Sequence, residues 1–193
     1  MELIKYIVVI LLLGNVEQTF SQDENPWVVG VGFNIVDNSG TRFKQLLNVT
    51  DNWNFSRLLK LTAEKRFAYD YGAEVSLTLN KFDTNKTINS EINITEVNYV
   101  SIDIMFKNYI SNYFINPQRS TYTGYIVGGL GNNFFDGVLN KTINVGLGFN
   151  IRLKYDLRIN LQTLGKFSID NNSRGNSNHL QHSISIIKWI NKK

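Results

Sequence analysis

The sequence predicts an all-β protein: an eight-stranded, antiparallel, up-and-down barrel that crosses a membrane. Three observations predict this fold. Apolar and polar side chains alternate along most of the chain, which is the period of a β-strand. The alternating segments are about 10 to 12 residues long, close to the roughly 9–11 residues that a tilted strand needs to cross a bilayer. Long and short connections follow one another in turn, as they do in up-and-down barrels.

Composition narrows the class of protein. The chain has 193 residues, a formal net charge of +4 and no cysteine. This length suits one domain, and the lack of Cys excludes disulfide scaffolds, thiolate zinc sites and thiol nucleophiles. The positive charge does not indicate nucleic-acid binding, because Lys and Arg nowhere cluster beyond the pair Lys65 and Arg66. Phosphate-binding and dinucleotide-binding motifs are absent from the sequence, and we expect no cofactor.

Residues 1–21 predict a secretory signal peptide that is removed. Lys5 precedes an unbroken apolar run at residues 7–13, and Thr19 and Ser21 present small side chains at the two positions that a signal peptidase reads. The run is too short for a membrane helix, which needs roughly 20 residues. We therefore expect residues 22–193 to be exported and to form the barrel domain.

Alternation is clearer in some of the predicted strands than in others. The predicted strands cover residues 27–37, 53–66, 72–82, 98–107, 121–131, 143–154, 157–165 and 180–190. Alternation is clearest in 143–154. It is interrupted at Arg57 and Leu58 in the second strand. In the Gly-rich fifth strand, alternation does not show which side chains share a face. In the last strand, Ile187 and Trp189 fall on the parity opposite to the other apolar residues.

The connections predict which strand ends share a side of the membrane. Long polar loops at residues 38–52, 83–96 and 166–179, and a shorter one at 132–140, are expected outside the cell. Short turns at 67–71 and 155–156 are expected in the periplasm. The connection at 108–120 is also expected there but is long, and it contains Pro117.

Alternation alone leaves two barrels open. A soluble periplasmic or secreted ligand-binding barrel, similar to a lipocalin, buries its apolar face, whereas a membrane barrel turns that face to lipid. The membrane is favoured by apolar faces about 25 Å long, by small residues on the polar faces, and by aromatic residues at strand ends. The aromatic residues predicted at the membrane interfaces are Trp27, Trp53, Tyr71, Tyr109, Tyr122, Tyr155 and Trp189.

If the apolar faces meet lipid, several charged side chains point into the barrel. They are Lys60, Glu64, Glu74, Asp103, Lys107, Arg152, Lys154 and Arg158. Charges in a narrow interior must pair or keep water, so we expect a structural network of salt bridges and hydrogen bonds. Eight strands leave an interior that side chains just fill, which argues against an open pore.

The two histidines give little support for catalysis. A His and a Ser two residues apart on one strand would share a face, but Ser183 directly follows His182 and lies on the opposite face. His179 shares a face with Ser183 but lies about 13 Å away. Neither His has clustered carboxylates with which to bind a metal. A lipid A-modifying barrel enzyme is therefore the least favoured alternative.

Three stretches carry a resemblance to a known family. The Gly-rich segments at 28–34 and 145–149 and the closing segment 182–186, together with the signal peptide, resemble the small OmpA/OmpX-type outer-membrane barrels. The abundance of Asn, Ile and Lys is similar to that of Bacteroidota outer-membrane proteins of the porin-like family. The resemblance departs in two respects. We expect no peptidoglycan-binding domain after Ile190, and Lys193 stands where such barrels usually have a terminal aromatic residue.

The resemblance implies a place and a role. The chain is expected in the outer membrane of a Gram-negative bacterium, in contact with lipid and lipopolysaccharide. Protein partners would bind through the long loops or through the connection at 108–120. The expected role is structural or interactive rather than enzymatic: stabilising the membrane, presenting surface loops, or serving as an accessory subunit of an envelope complex.

Overall fold

Eight long strands of the chain close into an antiparallel barrel. They are β1 (Trp27–Asp37), β3 (Ser56–Arg66), β4 (Tyr71–Phe82), β7 (Val97–Asn108), β8 (Tyr122–Phe135), β9 (Val138–Arg152), β10 (Leu157–Ser168) and β11 (His179–Ile190). Each pairs with the next long strand along the chain, and β11 pairs with β1 from Trp27 opposite Ile190 to Asp37 opposite Leu180. The predicted eight-stranded, antiparallel, up-and-down barrel is confirmed.

The computed structural model describes most of the barrel and parts of its connections. The described residues are 26–38, 48–88, 91–92, 94–116, 119–135, 137–154, 156–169 and 178–190. The predicted signal peptide at 1–21 lies outside them, as do parts of the predicted loops at 38–52 and 166–179. Short elements complete the fold: α1 (Val49–Asn52), β2 (Trp53–Asn54), β5 (Thr87–Ile88), β6 (Glu91–Ile92) and a 3-10 helix at Ile110–Tyr113. Within the described chain, no helix is long and apolar enough to cross a membrane.

The barrel has two distinguishable ends. At the end that we call the terminal end, Trp27 of β1 lies opposite Ile190 of β11, and the connections after β3, β7 and β9 turn back. At the opposite end, called the loop end, lie the connections after β1, β4, β8 and β10. This arrangement follows the order of long and short connections in the sequence.

The hairpin between β8 and β9 is longer than predicted. The expected loop at 132–140 is mostly strand, because Phe135 pairs with Val138 and leaves only residues 136–137 for the turn. Gly137 has a φ of 75°, the left-handed conformation that a two-residue hairpin turn requires. Asp-Gly is a strong signal for such a turn, so the polar residues beside it extend the strands. Residue 136 lies outside the described residues.

The interruption at Arg57 and Leu58 is an irregularity in the sheet. The predicted strand 53–66 is divided into β2 and β3, and the pairing of β3 with β4 shifts register between Ser56 and Leu59. Arg57 has a φ of 53°. A β-bulge of this kind inserts unpaired residues into one strand, which accounts for the loss of alternation there.

The faces of the barrel decide between the two alternatives. Outward apolar side chains in mid-strand are exposed, for example Phe33 at 62%, Ile104 at 65% and Leu130 at 63%. Inward side chains such as Thr78 and Ser101 are polar and fully buried. An apolar belt around a whole barrel is stable against lipid and not against water. The lipocalin-like alternative required the opposite arrangement, and the described strands contradict it.

Apolar side chains fill part of the interior at the loop end. A cluster that we call the loop-end plug consists of Val36, Phe82, Val97 and Tyr99, with Phe135 packed against it. The ring of Phe82 meets Tyr99 edge-on, with ring centroids 5.7 Å apart, and meets Phe135 in the same way at 5.2 Å. Edge-to-face packing of this kind adds to the stabilisation from burial. The plug lies at the loop-end termini of β1, β4, β7 and β8, on one side of the interior.

The turn glycine gives the first testable prediction. We expect Gly137→Ala to lower the free energy of unfolding by ~1–2 kcal/mol, because a Cβ disfavours the left-handed conformation. Urea unfolding in detergent micelles, followed by Trp fluorescence, measures the change. Gly128→Ala is the matched control, since a Cβ there would meet only Asn144 O at an ordinary 3.8 Å. An equal loss in both variants would contradict the assigned turn.

Candidate functional site

The interior holds two groups of buried charges. We call the first the terminal cluster; it consists of Glu64, Arg66, Glu74, Lys107 and Tyr109. Lys107 Nζ donates to Glu64 Oε2 at 3.0 Å and to Glu74 Oε2 at 2.5 Å. Tyr109 Oη donates to Glu64 Oε1 at 2.6 Å. One ammonium group therefore bridges two carboxylates.

Strand pairing explains why that bridge is needed. Glu64 of β3 lies directly opposite Glu74 of β4 on the inward face. Like charges in this position repel each other, and burial strengthens the repulsion. Lys107 is supplied by β7, the strand on the other side of β4, where it pairs with Gly72. A Cβ at Gly72 would overlap Glu64 Oε1, so this glycine leaves the space that the carboxylate occupies.

Aromatic rings cover the cations at the terminal end. The Arg66 guanidinium lies 3.6 Å from the ring centroid of Tyr109, and that of Arg158 lies 3.9 Å from the ring of Trp189. Cation–π contacts of this kind strengthen when the partners are desolvated. Tyr109 and Trp189 were predicted as interface aromatics. That prediction is corrected: Tyr109 is 1% exposed, and Trp189 continues the inward parity of Ile187.

The second group, called the central cluster, surrounds Asp103. Lys166 Nζ lies 2.8 Å from both carboxylate oxygens of Asp103, and both side chains are fully buried. Asn144 Nδ2 donates to the same carboxylate at 2.8 Å, and Ser101 Oγ donates at 3.1 Å. Gly131 faces Asp103 across β7 and β8, where a Cβ would overlap the carboxylate.

Lys166 was missed because the predicted strand ended before it. The structure continues β10 to Ser168, and Lys166 falls on the inward parity of Arg158 and Gln162. Extending the predicted strand by one residue would have found it. Arg66 lies within the predicted strand 53–66, where it shares the inward parity of Glu64 and was not included among the interior charges; it ends β3 on the inward face and is 4% exposed.

Lys60 lies between neutral hydrogen-bond acceptors. Its Nζ donates to Gln162 Oε1 and to Ser183 Oγ, the latter at 3.0 Å, and the residue is 1% exposed. Among the described residues, the buried interior charges are five cations and three anions: Lys60, Arg66, Lys107, Arg158 and Lys166 against Glu64, Glu74 and Asp103. Asp37 is also buried but lies on the outer wall, so the formal charges inside leave a surplus of two positive charges.

The structure divides the charged residues predicted inside. Lys60, Glu64, Glu74, Asp103, Lys107 and Arg158 are buried on inward positions. Arg152 is half-buried as the last residue of β9, and Lys154 is exposed, which corrects the prediction for Lys154. β9 ends earlier than expected because Leu153 N donates to Leu157 O at 2.9 Å and turns the chain.

Four of the five remaining predicted interface aromatics lie on the outer wall. Trp27 and Tyr122 are exposed at the terminal end, at 48% and 59%. Tyr71 is half-buried there, and its ring packs against Phe67 and Phe106 with centroids 6.3 Å and 5.6 Å away. Trp53 is half-buried near the loop end. Tyr155 lies outside the described residues.

The histidines occupy opposite faces. Inside, Tyr99 Oη lies 3.0 Å from His179 Nε2. On the outer wall, His182 Nδ1 lies 3.0 Å from Thr163 Oγ1, a cross-strand neighbour that spacing along one strand did not reveal. The nearby carboxylate of Asp37 accepts from Trp53 Nε1 at 3.1 Å.

This outer cluster is a hydroxyl beside an imidazole. A base that activates a nucleophile is normally oriented by a third group. His182 Nε2 is buried with no hydrogen-bond partner among the described residues, so no such bond orients the ring. The described residues also contain no group of three or more His, Cys, Asp or Glu that could hold a metal ion.

The closed barrel and its ionic interior define a class, the small eight-stranded barrels of the outer-membrane type. The crystal structure of Ail, the attachment invasion locus protein of Yersinia pestis, is similar with a TM-score of 0.53 and 10% identity, covering 87% of this chain and 100% of that one. The crystal structure of Neisserial surface protein A is similar with a TM-score of 0.57 and 15% identity, covering 84% of this chain and 96% of that one.

A third similar structure was determined in lipid. The solid-state NMR structure of the outer membrane protein AlkL in DMPC bilayers gives a TM-score of 0.54 and 12% identity, covering 91% of this chain and 94% of that one. At these identities the likeness establishes the fold. No protein-family model and no curated protein matches the chain.

The central cluster gives a double-mutant prediction. We expect Lys166→Met to lower the free energy of unfolding by ~3–5 kcal/mol, because it leaves the Asp103 carboxylate buried without its cation. The double variant Asp103→Asn, Lys166→Met should regain most of the loss. Urea unfolding in micelles measures the unmutated protein and both variants.

An exposed ion pair serves as the control for that cycle. Lys81 pairs with Glu96, whose side chain is 57% exposed. Lys81→Met should cost no more than ~1 kcal/mol, because water screens such pairs. Equal losses in Lys166→Met and Lys81→Met would show that the central cluster is not isolated from water.

Proposed function

We propose that this chain is an integral outer-membrane β-barrel with a structural or interaction role and no enzymatic activity. The observation that carries the proposal is the arrangement of its faces: an apolar outer wall around a closed, ionic interior. The proposal includes export by a signal peptide at 1–21 in a Gram-negative bacterium with a Bacteroidota-like composition. Its immediate surroundings would be outer-membrane lipid and lipopolysaccharide.

Strand length supports a membrane-spanning wall. β7 has 12 residues, which extend over about 40 Å at ~3.4 Å per residue. A tilt of ~45° reduces the height to about 28 Å, close to the ~25 Å apolar band of outer-membrane barrels. The similar structures agree with this location, since AlkL is an outer membrane protein and was studied in bilayers.

The state of the interior supports a role without catalysis. Its carboxylates are bound by lysine, arginine and tyrosine side chains, and the loop-end plug packs over one end. Groups engaged with one another in this way hold a shape rather than await a substrate. Surface presentation fits the names of two similar proteins, an attachment locus protein and a surface protein.

The decisive experiment compares two charged substitutions. Ile104 is 65% exposed on the outer wall in mid-strand, and Ile94 is 86% exposed in the connection before β7. We expect Ile104→Arg to abolish outer-membrane recovery and the boiling-dependent gel shift, because Arg at mid-membrane costs ~2–4 kcal/mol. Ile94→Arg should retain both.

The comparison has a clear contrary result. In water, an exposed Ile104→Arg change would be harmless or would improve solubility. An intact, heat-modifiable protein with Ile104→Arg, or release of the unmutated protein into buffer, would refute the membrane location.

The non-enzymatic role is tested on the outer cluster. We expect the lipid A species of cells that produce the unmutated protein to match those of His182→Ala cells by mass spectrometry. Thr163→Val removes the other partner of the same hydrogen bond and is the matched variant. Deacylated lipid A that disappears in both variants would identify an enzyme instead.

A further inference from the structure

The connection between β7 and β8 is an ordered feature at the terminal end. We call residues 109–116 the terminal shelf. Tyr109 N donates to Asp70 O at 2.7 Å, and Asn112 Nδ2 donates to Tyr69 O at 2.7 Å. On its other side, Gly124 N donates to Ser111 Oγ at 3.0 Å. The shelf is thus attached to the turn after β3 and to β8.

The shelf has two contrasting sides. Tyr109 reaches into the barrel and is 1% exposed. The opposite side presents Ile110 at 39%, Tyr113 at 53%, Phe114 at 88% and Ile115 at 49%. Four apolar or aromatic side chains within six residues form a surface that water disfavours.

This exposed surface continues the aromatic outer wall. Tyr113 Oη lies 3.2 Å from Tyr71 Oη and 3.3 Å from Asn108 Oδ1. The ring of Tyr71 in turn packs on Phe106, which is 48% exposed on the outer face of β7. The shelf therefore begins where the lipid-facing wall ends, at the level where aromatic belts meet lipid head groups.

The chemistry of the segment suits an interface. Residues 109–116 contain no charged side chain, so entering the boundary between head groups and acyl chains desolvates no charge of the shelf itself. The neighbouring charge is Asp70, which belongs to the turn after β3. Tyrosine and phenylalanine favour that layer because their rings are apolar while the tyrosine hydroxyl stays at the polar level. Arg119 follows in the same connection, where its guanidinium can pair with a lipid phosphate.

We propose that the terminal shelf is a membrane-interface anchor, with Ile110, Tyr113, Phe114 and Ile115 inserted among the lipids of the leaflet at the terminal end. This inference rests on the proposed membrane location of the barrel. It gives the long connection a lipid partner. It also fixes the depth and rotation of the barrel at the side of β4, β7 and β8.

The absence of cysteine permits a clean test. Single variants Phe114→Cys, Leu147→Cys and Thr84→Cys of the full chain are labelled with an environment-sensitive fluorophore and reconstituted in phosphatidylcholine vesicles. The vesicles carry bromine, a quencher, on lipid chains either near the head group or near the chain end. Leu147 is 56% exposed on the outer wall, and Thr84 is an exposed turn residue at the loop end.

The anchor predicts a depth for each label. The label at 114 should lose most of its emission to bromine near the head group and little to aqueous iodide. The label at 147 should be quenched by bromolipid, and the label at 84 by iodide alone. Ile115→Cys repeats the measurement if Phe114→Cys does not assemble.

The outcomes separate the anchor from the barrel. Suppose that bromolipid quenches the label at residue 147, while iodide alone quenches the labels at residues 114 and 115. The barrel then spans the membrane and the proposed anchor is wrong. A shelf that docks a protein gives this same result in vesicles of lipid alone. If iodide alone quenches the label at residue 147 too, the proposed membrane location is wrong as well.

Discussion

Closure of the sheet is the constraint on which the rest of the structure depends. Pairing β11 with β1 supplies partners for backbone groups that would each cost several kcal/mol if left unpaired in lipid. Closure also creates an inside that receives every second side chain of each strand. With eight strands that space is narrow, so the side chains must fit and bind one another. Gly72 and Gly131 show the result, since each leaves room for a carboxylate of a neighbouring strand.

The buried ions make the interior selective for one register. A shift of one residue in any strand would exchange its two faces. For β7, such a shift would move Asp103 and Lys107 onto the apolar outer wall and bring Ile104 against the Lys166 ammonium. The cost of leaving buried charges unpaired far exceeds the modest net gain from pairing them. The ion clusters therefore act more on the choice of pairing than on the total stability.

Alternation in the sequence predicts which way a residue faces, and it succeeds wherever a strand continues. It places Glu64, Asp103 and Lys107 inside. It does less well at strand ends, because a turn such as the one joined by Leu153 and Leu157 decides whether Lys154 belongs to the strand. Partners are harder still: Lys60 and Gln162 meet from 102 residues apart. Such contacts depend on the stagger of the closed sheet, which one strand does not reveal.

The loop-end plug has a consequence for how the molecule can evolve. It places packed apolar and aromatic side chains between the Asp103 carboxylate and the ends of β1, β4, β7 and β8, so a change in the connections on that side meets the plug before it reaches the buried charges. Selection on these connections is then largely uncoupled from selection on the buried charges. The barrel becomes a scaffold on which exterior segments can diversify, or foreign peptides can be grafted. The buried ion clusters that favour one strand register remain unchanged.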